Sequence, residues 1–250
     1  MTTDAIQRLA HRATVRKFTD RKVDDELLNT LLEVAAKAPN TGNMQQYSVI
    51  VTRSEEGKQR VAPAHFNQPA ATGCDVLLTF CVDFNRFEHW CRVNDARPGY
   101  NNLQAFLWGV IDTVIFAQQF NTLAELSGLG CCYLGTTTYN APAISAALEL
   151  PDRVVPVVTL AVGYPAEEPT ESDRLPIESI VHREKYQPST DAGIRDTYYE
   201  KENLAESRRF VEENNKQTLA QVYTDVRYPR DTNEHFSKVY ADFIASKGFC

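Results

Sequence analysis

Two short segments near the N-terminus carry side chains suited to binding a phosphorylated heterocycle. Residues 12–18 read RATVRKF and residues 39–45 read PNTGNMQ, and an amphipathic helical pattern separates them. Arginine presents a planar fork of donors that matches two phosphate oxygens, while threonine and asparagine donate from short side chains. Both segments are expected to be loops, because the first follows a short helical pattern and the second begins at a helix-ending proline. The pattern therefore points to a bound cofactor.

The composition is that of a globular chain and disfavours two classes of partner. Its 250 residues are 43% hydrophobic, enough to bury one sizeable core. A formal net charge of -7 disfavours nucleic acid and acidic membranes, which are bound by basic patches. The most apolar run, residues 103–117, is interrupted by Gln104, Asp112 and Thr113 and is too short and polar to span a bilayer.

The N-terminus and the cysteines favour a reducing location. The opening residues, MTTD, lack the charged, apolar and small-residue regions of a signal peptide, so we expect a cytoplasmic protein. The six cysteines show no C-x-x-C pair and no disulfide-scaffold spacing, which favours free thiols. His89 and Cys91 flank Trp90, and Cys131 adjoins Cys132, but neither pair has the ligand spacing of structural zinc. We therefore expect no metal site.

Hydrophobic periodicity predicts helices interspersed with strands, which is typical of an α+β fold. Thr3 is expected to cap the first helix, and Asp24 or Asp25 the second, because their side chains can accept from helix N–H groups. Gly128 is placed to end a long helix in a left-handed conformation. Pro156 predicts an edge position, a strand start or a bulge, since proline cannot donate to a sheet. The predicted helices are residues 3–11, 24–38, 55–61, 103–127 and 140–148, and the predicted strands are 48–52, 76–82, 131–134 and 154–162.

The C-terminal part of the chain is more polar than the rest. Residues 203–226 can be helical with little apolar periodicity, whereas residues 233–247 place apolar side chains on one helical face. We expect residues 1–186 to form the main domain and residues 187–250 to form a helical arm of that domain. An apolar face in so polar a segment predicts that the arm covers part of a partner subunit.

Four segments, taken in order, resemble the FMN-dependent nitroreductase superfamily. They are RATVR at 12–16, PNTGNMQ at 39–45, GLGCCYLGT at 128–136 and RLP at 174–176. The similarity runs over residues 11–186, and the tail resembles more loosely the arm of the larger, NADPH-preferring bacterial nitroreductases and flavin reductases. No single segment is specific, but four in the same order are fairly so.

The resemblance implies an α+β fold with a mixed sheet flanked by helices, and an intertwined homodimer that holds two FMN molecules at the subunit interface. It places Arg12 and Arg174 against the FMN phosphate and Thr14 at the same end, with Ala13 contributing only its backbone. Arg16 would lie near the pyrimidine edge of the flavin. A fixed cation there favours hydride transfer, because negative charge develops at that edge.

The resemblance also implies contacts along the ribityl chain and the ring. Asn40, Thr41 and Asn43 would come from the partner subunit, and Gln68 would meet the polar edge of the ring. The other side of the ring would be lined by four consecutive residues, Tyr133, Leu134, Gly135 and Thr136.

Three residues form the expected catalytic group. In the family a backbone N–H near Gly135 and Thr136 donates to flavin N5, and Arg16 would supply the positive charge. The sequence departs from the family pattern at Ala13, where a polar residue is frequent, and at Ser172, where the larger subgroup often has lysine. Because of these departures, one of the family's phosphate contacts has no assigned residue in this sequence.

The resemblance implies an oxidoreductase in which NADPH or NADH donates a hydride to FMN and leaves. An electron-poor nitroaromatic or quinone would then bind over the same ring face. Three alternatives stay open: a specialised flavin reductive dehalogenase, with residues 188–229 as its lid; a flavin-binding or storage protein without turnover; and an unligated interaction domain. One or two arm arginines would meet the 2′-phosphate of NADPH, from the set Arg208, Arg209, Arg227 and Arg230.

Overall fold

The computed structural model describes residues 4–249, which divide into two compact units. The first unit comprises residues 4–171 and 236–249, and the second comprises residues 172–235. The first unit contains the sheet and the longest helix. The predicted division at residue 186 stays a prediction, and the Thr3 cap lies outside the described residues.

A four-stranded sheet with the order β1-β2-β4-β3 forms the centre of the first unit. Its strands are β1 (Tyr47–Thr52), β2 (Val76–Asp83), β3 (Gly130–Leu134) and β4 (Val154–Gly163). Pro156 faces a register shift between Phe80 and Cys81 of β2. The bulge expected for Pro156 is therefore confirmed, whereas the edge position is wrong, because β4 lies between two other strands.

The α+β class is confirmed, with one correction to the sheet. All three strand pairings within the described chain are antiparallel, whereas the resemblance implied a mixed sheet. The physical reason is the direction of the strands, since the start of each strand pairs with the end of its neighbour. Val76 pairs with Val162, for example, and Gly130 pairs with Gly163.

Helices cover both faces of the sheet. On one face Leu78 and Phe80 of β2 pack in a cluster with residues of the second and sixth helices, and on the other Leu77 packs against Ala71 of the fourth. Alternate residues of β2 serve the two faces, as the period of a strand requires. The helices are α1 (Asp4–Ala10), α2 (Asp25–Ala35), α3 (Glu55–Val61), α4 (Pro69–Gly73), α5 (Asn85–Val93), α6 (Leu103–Leu126), α7 (Ala141–Ala147), α8 (Asp191–Asn203), α9 (Ala205–Glu213), α10 (Leu219–Val222) and α11 (Arg230–Ser246).

The long helix α6 has one buried face and one exposed apolar face. Asn102 caps its start by accepting from Ala105 N–H, and Gly128 (φ +82°) follows its end in the predicted left-handed conformation. Phe116, Ala117 and other residues of its inner face enter the core. Four apolar side chains at intervals of three or four residues are 39–60% exposed on the outside: Leu103, Leu107, Ile111 and Val114. Among residues 4–249, no helix is long and apolar enough to cross a membrane.

Residues 12–18 run along the β3 edge of the sheet. The Val15 N–H donates to the Cys131 carbonyl at 3.1 Å. A Cβ added to Gly130 would lie 2.4 Å from a methyl of Val15, so this position accepts only glycine without a shift. Gly128 ends α6, whereas Gly130 lets residues 12–18 approach β3.

The last part of α11 packs on the chain's own core. Tyr240, Phe243 and Ile244 join a cluster with Phe106 of α6, and the Tyr240 hydroxyl donates to the Pro156 carbonyl at 3.3 Å. The apolar face predicted from residues 233–247 is therefore covered within the first unit. Additional coverage of a partner subunit stays a prediction.

The second unit contains loops, helices α8 to α10 and the first residues of α11. Thr190 and Thr218 cap α8 and α10 by accepting from backbone N–H groups. The predicted helix over residues 203–226 is broken between α9 and α10, where Asn215 has a left-handed conformation (φ +51°). Helix α10 continues into a π-helical turn at Tyr223–Arg227. The amphipathic signal of α8 is weak, which is why the sequence did not predict it.

Candidate functional site

A cavity of about 390 Å³ in the first unit gathers five of the predicted site residues. Segment 12–18, β3 and α6 supply most of its wall, and Gln68 enters from the start of α4. The lining residues are Arg12, Thr14, Arg16, Gln68, Gln118, Asn121, Cys131, Cys132 and Tyr133. A cavity of this size falls in the range of small-molecule sites, roughly 300–1,000 Å³.

Arg12 is fixed by an acidic residue that the sequence analysis missed. Its Nε donates to both carboxylate oxygens of Glu125 at 3.2 Å, and its Nη2 donates to one of them at 2.7 Å. This hydrogen bonding raises the pKa of Arg12 above its ordinary value, against the effect of burial. Glu125 does not use the two N–H groups of Nη1, so the guanidinium retains donors for an anion.

Glu125 could have been found from its position. It lies in the last turn of α6, where a carboxylate is unfavourable beside the negative end of the helix dipole. An acid at such a position indicates a nearby cation, and Arg12 is that cation. Arg8 also stabilises this end by donating to the Leu126 carbonyl at 2.8 Å.

Two further residues of α6 face the cavity. Tyr133 donates its hydroxyl to Gln118 Oε1 at 3.3 Å, and partial burial raises the pKa of Tyr133, so the hydroxyl stays protonated at neutral pH. Asn121 is 2% exposed, and no hydrogen-bond partner within the described chain reaches its Oδ1. The polar positions 118, 121 and 125 follow helical spacing on an apolar helix, a signal that could have identified this face.

The turn after β3 presents backbone next to the cavity. Leu134 is buried, and a Cβ added to Gly135 would meet nothing within 4 Å, so the backbone at Gly135 faces open space. The Thr136 hydroxyl is fixed by Gln68 Nε2 at 3.2 Å and by His65 Nδ1 at 2.8 Å. The predicted residues Gln68 and Thr136 are thus brought together directly.

His65 is a buried neutral group. Burial lowers the pKa of His65 to about 4, so the imidazole is uncharged at neutral pH. One histidine between Ala64 and Phe66 has no recognisable motif around it, so no sequence pattern indicates a functional role for His65. Its contact with Thr136 depends on a fold that brings together residues 71 positions apart.

The predicted residues Asn40, Thr41 and Asn43 lie outside the lining of this cavity. Thr41 donates its N–H and its hydroxyl to the Asp112 carboxylate of α6 at 2.9–3.0 Å. Asn40 Oδ1 accepts from the Gln45 N–H at 3.1 Å. Within one chain, the structure therefore separates these three residues from Arg12 and the other predicted contacts.

The remaining predicted residues have different surroundings. Ala13 is buried and lines a neighbouring cavity of about 320 Å³ together with Arg12. Arg174 belongs to the second unit, where it donates to the carbonyls of Ser172 and Asp173 at 3.2 and 2.8 Å. A phosphate contact from Arg174 stays a prediction.

The buried cysteine thiols are not in an environment that favours redox chemistry. Burial raises the pKa of Cys131 and of Cys132, which disfavours the thiolate needed for redox exchange. The five cysteines of residues 4–249 are free and buried. In the same residues, no group of three or more His, Cys, Asp and Glu side chains could hold a metal ion.

Comparisons with known proteins agree on one family. Residues 9–164 match the model of the nitroreductase family. A crystal structure described as an oxidoreductase of Bacteroides fragilis NCTC 9343 has a TM-score of 0.96 and 49% identity, and the match covers 97% of this chain and 99% of that one. An FMN reductase (NAD(P)H) of Bacillus subtilis strain 168 is 32% identical over 73% of this chain and 74% of its own. An oxygen-insensitive NADPH nitroreductase of Salmonella typhimurium strain LT2 is 32% identical over 73% and 75%.

Proposed function

The chain belongs to the nitroreductase family, and on this premise we propose that it is an NAD(P)H-dependent oxidoreductase with FMN as its cofactor. The observation that carries the proposal is the cavity of about 390 Å³ that brings together Arg12, Thr14, Arg16, Gln68 and Tyr133. These residues come from three separate stretches of the sequence. Their convergence on one cavity is what a shared ligand requires.

The donor set fits FMN in charge and in hydrogen bonding. Arg12 and Thr14 present donors for the phosphate, and Arg12 is held in place for that contact by Glu125. Asn121 contributes a buried amide to the cavity wall. Two cations close to one wall also suit a ligand that carries a phosphate and becomes negatively charged during the reaction.

The protein's contribution to the reaction is placement and electrostatics. FMN, when bound, supplies the chemistry of accepting and donating a hydride. Arg16 would stabilise negative charge at the pyrimidine edge of the ring, and a backbone N–H near Gly135 and Thr136 would donate a hydrogen bond to it. Gln68 and His65 fix the Thr136 hydroxyl and with it the orientation of this turn.

The site is completed in a homodimer. The exposed stripe on α6, Leu103 to Val114, is an apolar surface of the kind that association buries. The loop that carries Asn40 and Asn43 does not line the cavity of its own chain, and it would serve the cavity of the partner. This arrangement gives the loop's amide side chains a ligand to bind.

The acceptor is an electron-poor compound, a nitroaromatic or a quinone, that replaces the nicotinamide over one ring face. One cavity serving both substrates predicts a substituted-enzyme cycle with parallel lines in initial-rate plots. The buried free thiols fit a reducing compartment, and we place the protein in the cytoplasm.

The visible absorption spectrum of the purified protein, reconstituted with FMN, tests the proposal. We expect the bands of oxidised flavin, their bleaching by NADPH or NADH, and faster NAD(P)H consumption when a quinone is added. Bound FMN without NAD(P)H consumption would indicate a storage protein instead. A preparation that stays colourless after added FMN would contradict the cofactor assignment.

A further inference from the structure

The loop of residues 40–45 is anchored at its start by a buried carboxylate. Both oxygens of Asp112 accept from the Thr41 N–H, at 3.0 and 2.9 Å, and one also accepts from the Thr41 hydroxyl at 3.0 Å. Asp112 is 2% exposed and lies in the middle of α6. Burial of a carboxylate is costly unless donors satisfy it, and Thr41 supplies these donors.

The same loop is anchored at its end by an arginine on α5. Arg86 Nη2 donates to the carbonyls of Gln45 at 2.6 Å and Tyr47 at 2.9 Å. Its Nη1 donates to Ser48 Oγ at 2.9 Å and to Asp83 at 3.2 Å. The two arms of one guanidinium thus join the loop to the first two strands.

Between these anchors the backbone adopts an unfavourable conformation. Gly42 has φ +57°, Asn43 has φ +55° and Gln45 has φ +53°. Non-glycine residues in the left-handed region persist only where the surroundings determine their conformation, and they concentrate at binding sites. Six consecutive residues with three left-handed positions would not hold one shape without the anchors.

We propose that Asp112 and Arg86 are positioning residues, which hold Asn40 and Asn43 in the conformation that binds FMN. The proposal rests on the proposed function. It also assigns Thr41 a role different from that implied by the resemblance, because its N–H and hydroxyl are both given to Asp112. The amide oxygens of Asn40 and Asn43 accept from Gln45 at 3.1 and 3.4 Å, so their NH2 groups are the loop's cofactor contacts. Thr41 is then part of the anchor.

The substitution Asp112→Asn tests the start of the loop. Asparagine keeps the size of the side chain but has one acceptor oxygen, and its NH2 group opposes the Thr41 N–H. We expect FMN to bind about 10-fold more weakly, with a faster FMN dissociation rate. Amide hydrogen exchange in the protein without FMN should rise within residues 40–45. Asp242→Asn, at an exposed carboxylate paired with Lys238, is the matched control and should change none of these.

Arg86→Gln tests the other end at a more exposed side chain, so it remains informative if the Asp112 variant does not fold. We expect the same direction of change in FMN affinity and exchange. Thr41→Val should also weaken FMN binding. Its effect should not add to that of Asp112→Asn, because both substitutions disrupt the same contact between Thr41 and Asp112.

The outcomes separate this inference from the proposed function. A purely structural role would lower the melting temperature but leave the FMN dissociation constant of the folded protein unchanged. Wild-type protein that binds FMN, with affinity within twofold in Asp112→Asn and Arg86→Gln, would overturn the inference alone. Wild-type protein that binds no FMN would overturn the proposed function and the inference with it.

Discussion

The wall of the cavity and the loop of residues 40–45 are held by different means. Arg12, Thr14 and Arg16 lie on a segment bonded to the β3 edge, and Gln118 and Asn121 lie on α6, so regular structure positions them. The loop instead adopts left-handed conformations and depends on single side chains at each end. Substitutions in the two parts of the proposed site should therefore have different effects. The wall loses individual contacts, whereas the loop loses its shape.

The largest expected effect is on the wall, from Arg12→Ala. Loss of a charge-assisted contact to phosphate should weaken FMN binding by about 1.5 to 3 kcal/mol, which is roughly 10- to 150-fold. Titration of FMN fluorescence measures it. The substitution also leaves the Glu125 carboxylate without its ion-pair partner. The control is therefore the double variant Arg12→Ala with Glu125→Gln, which removes both charges. Recovery of wild-type affinity in that variant would assign the loss to the unpaired carboxylate.

The next prediction concerns His65, which supports the turn beside the wall. Its pKa is lowered to about 4 in the folded protein, against 6.5 when exposed. Between these values the unfolded chain binds a proton that the native protein does not, so stability is complete above pH 6.5 and falls as the pH drops towards 4. At pH 4.5 the loss is about 2.5 kcal/mol.

Urea unfolding of the wild type and of His65→Gln, each at pH 7 and pH 4.5, checks this prediction. Glutamine can keep the bond to the Thr136 hydroxyl but does not titrate in this range. The wild type should therefore lose more stability than the variant on acidification. Equal losses of unfolding free energy in both proteins would mean that a group other than His65 causes the pH dependence.

A smaller effect is expected where the wall meets the sheet. Gly130→Ala would bring a methyl to 2.4 Å from the Val15 side chain and force residues 12–18 away from β3. We expect about 2 kcal/mol of lost stability. Gly73→Ala, where a Cβ meets nothing within 4 Å, is the control for the glycine change itself. Equal unfolding free energies for the two variants would contradict the close approach.

The smallest expected effect is a gain in the loop. Gln45→Gly should stabilise the protein by at most about 1 kcal/mol, because glycine adopts φ +53° without strain. Gln59→Gly, within helix α3, should instead destabilise by about 1 kcal/mol. Thermal unfolding of both variants measures whether each substitution raises or lowers the stability. A loss at Gln45 like that at Gln59 would mean that the loop is not strained.

Much of the fold was predictable because it depends on local signals. Asp24 caps α2, the predicted helix over residues 55–61 matches α3, and Gly128 ends α6. These features follow from side-chain capping, periodicity and glycine's backbone freedom, all of which act within a few residues. Helix α5, in contrast, was not predicted, since its residues carry a mixture of charged and aromatic side chains without a clear start signal.

The candidate site was predictable only in part. Residue types indicated Arg12, Thr14 and Arg16 as ligand contacts, and these residues line one cavity with Gln68, while their contact with FMN stays a prediction. The partners that hold such residues were missed, because they are determined by tertiary contacts. Glu125 lies 113 residues from Arg12, and Asp112 lies 71 residues from Thr41, so no spacing in the sequence relates them.

The central claim is that the cavity wall of one chain and the loop of another form one FMN site. Mixed dimers of Arg12→Ala and Asn43→Gly, isolated with two affinity tags, test it directly. Glycine keeps the left-handed backbone while removing the amide side chain. We predict that each mixed dimer has one site of wild-type affinity and one weakened site, because one site then receives both intact parts. Each parent should have two weakened sites. Mixed dimers with two weakened sites would contradict the claim.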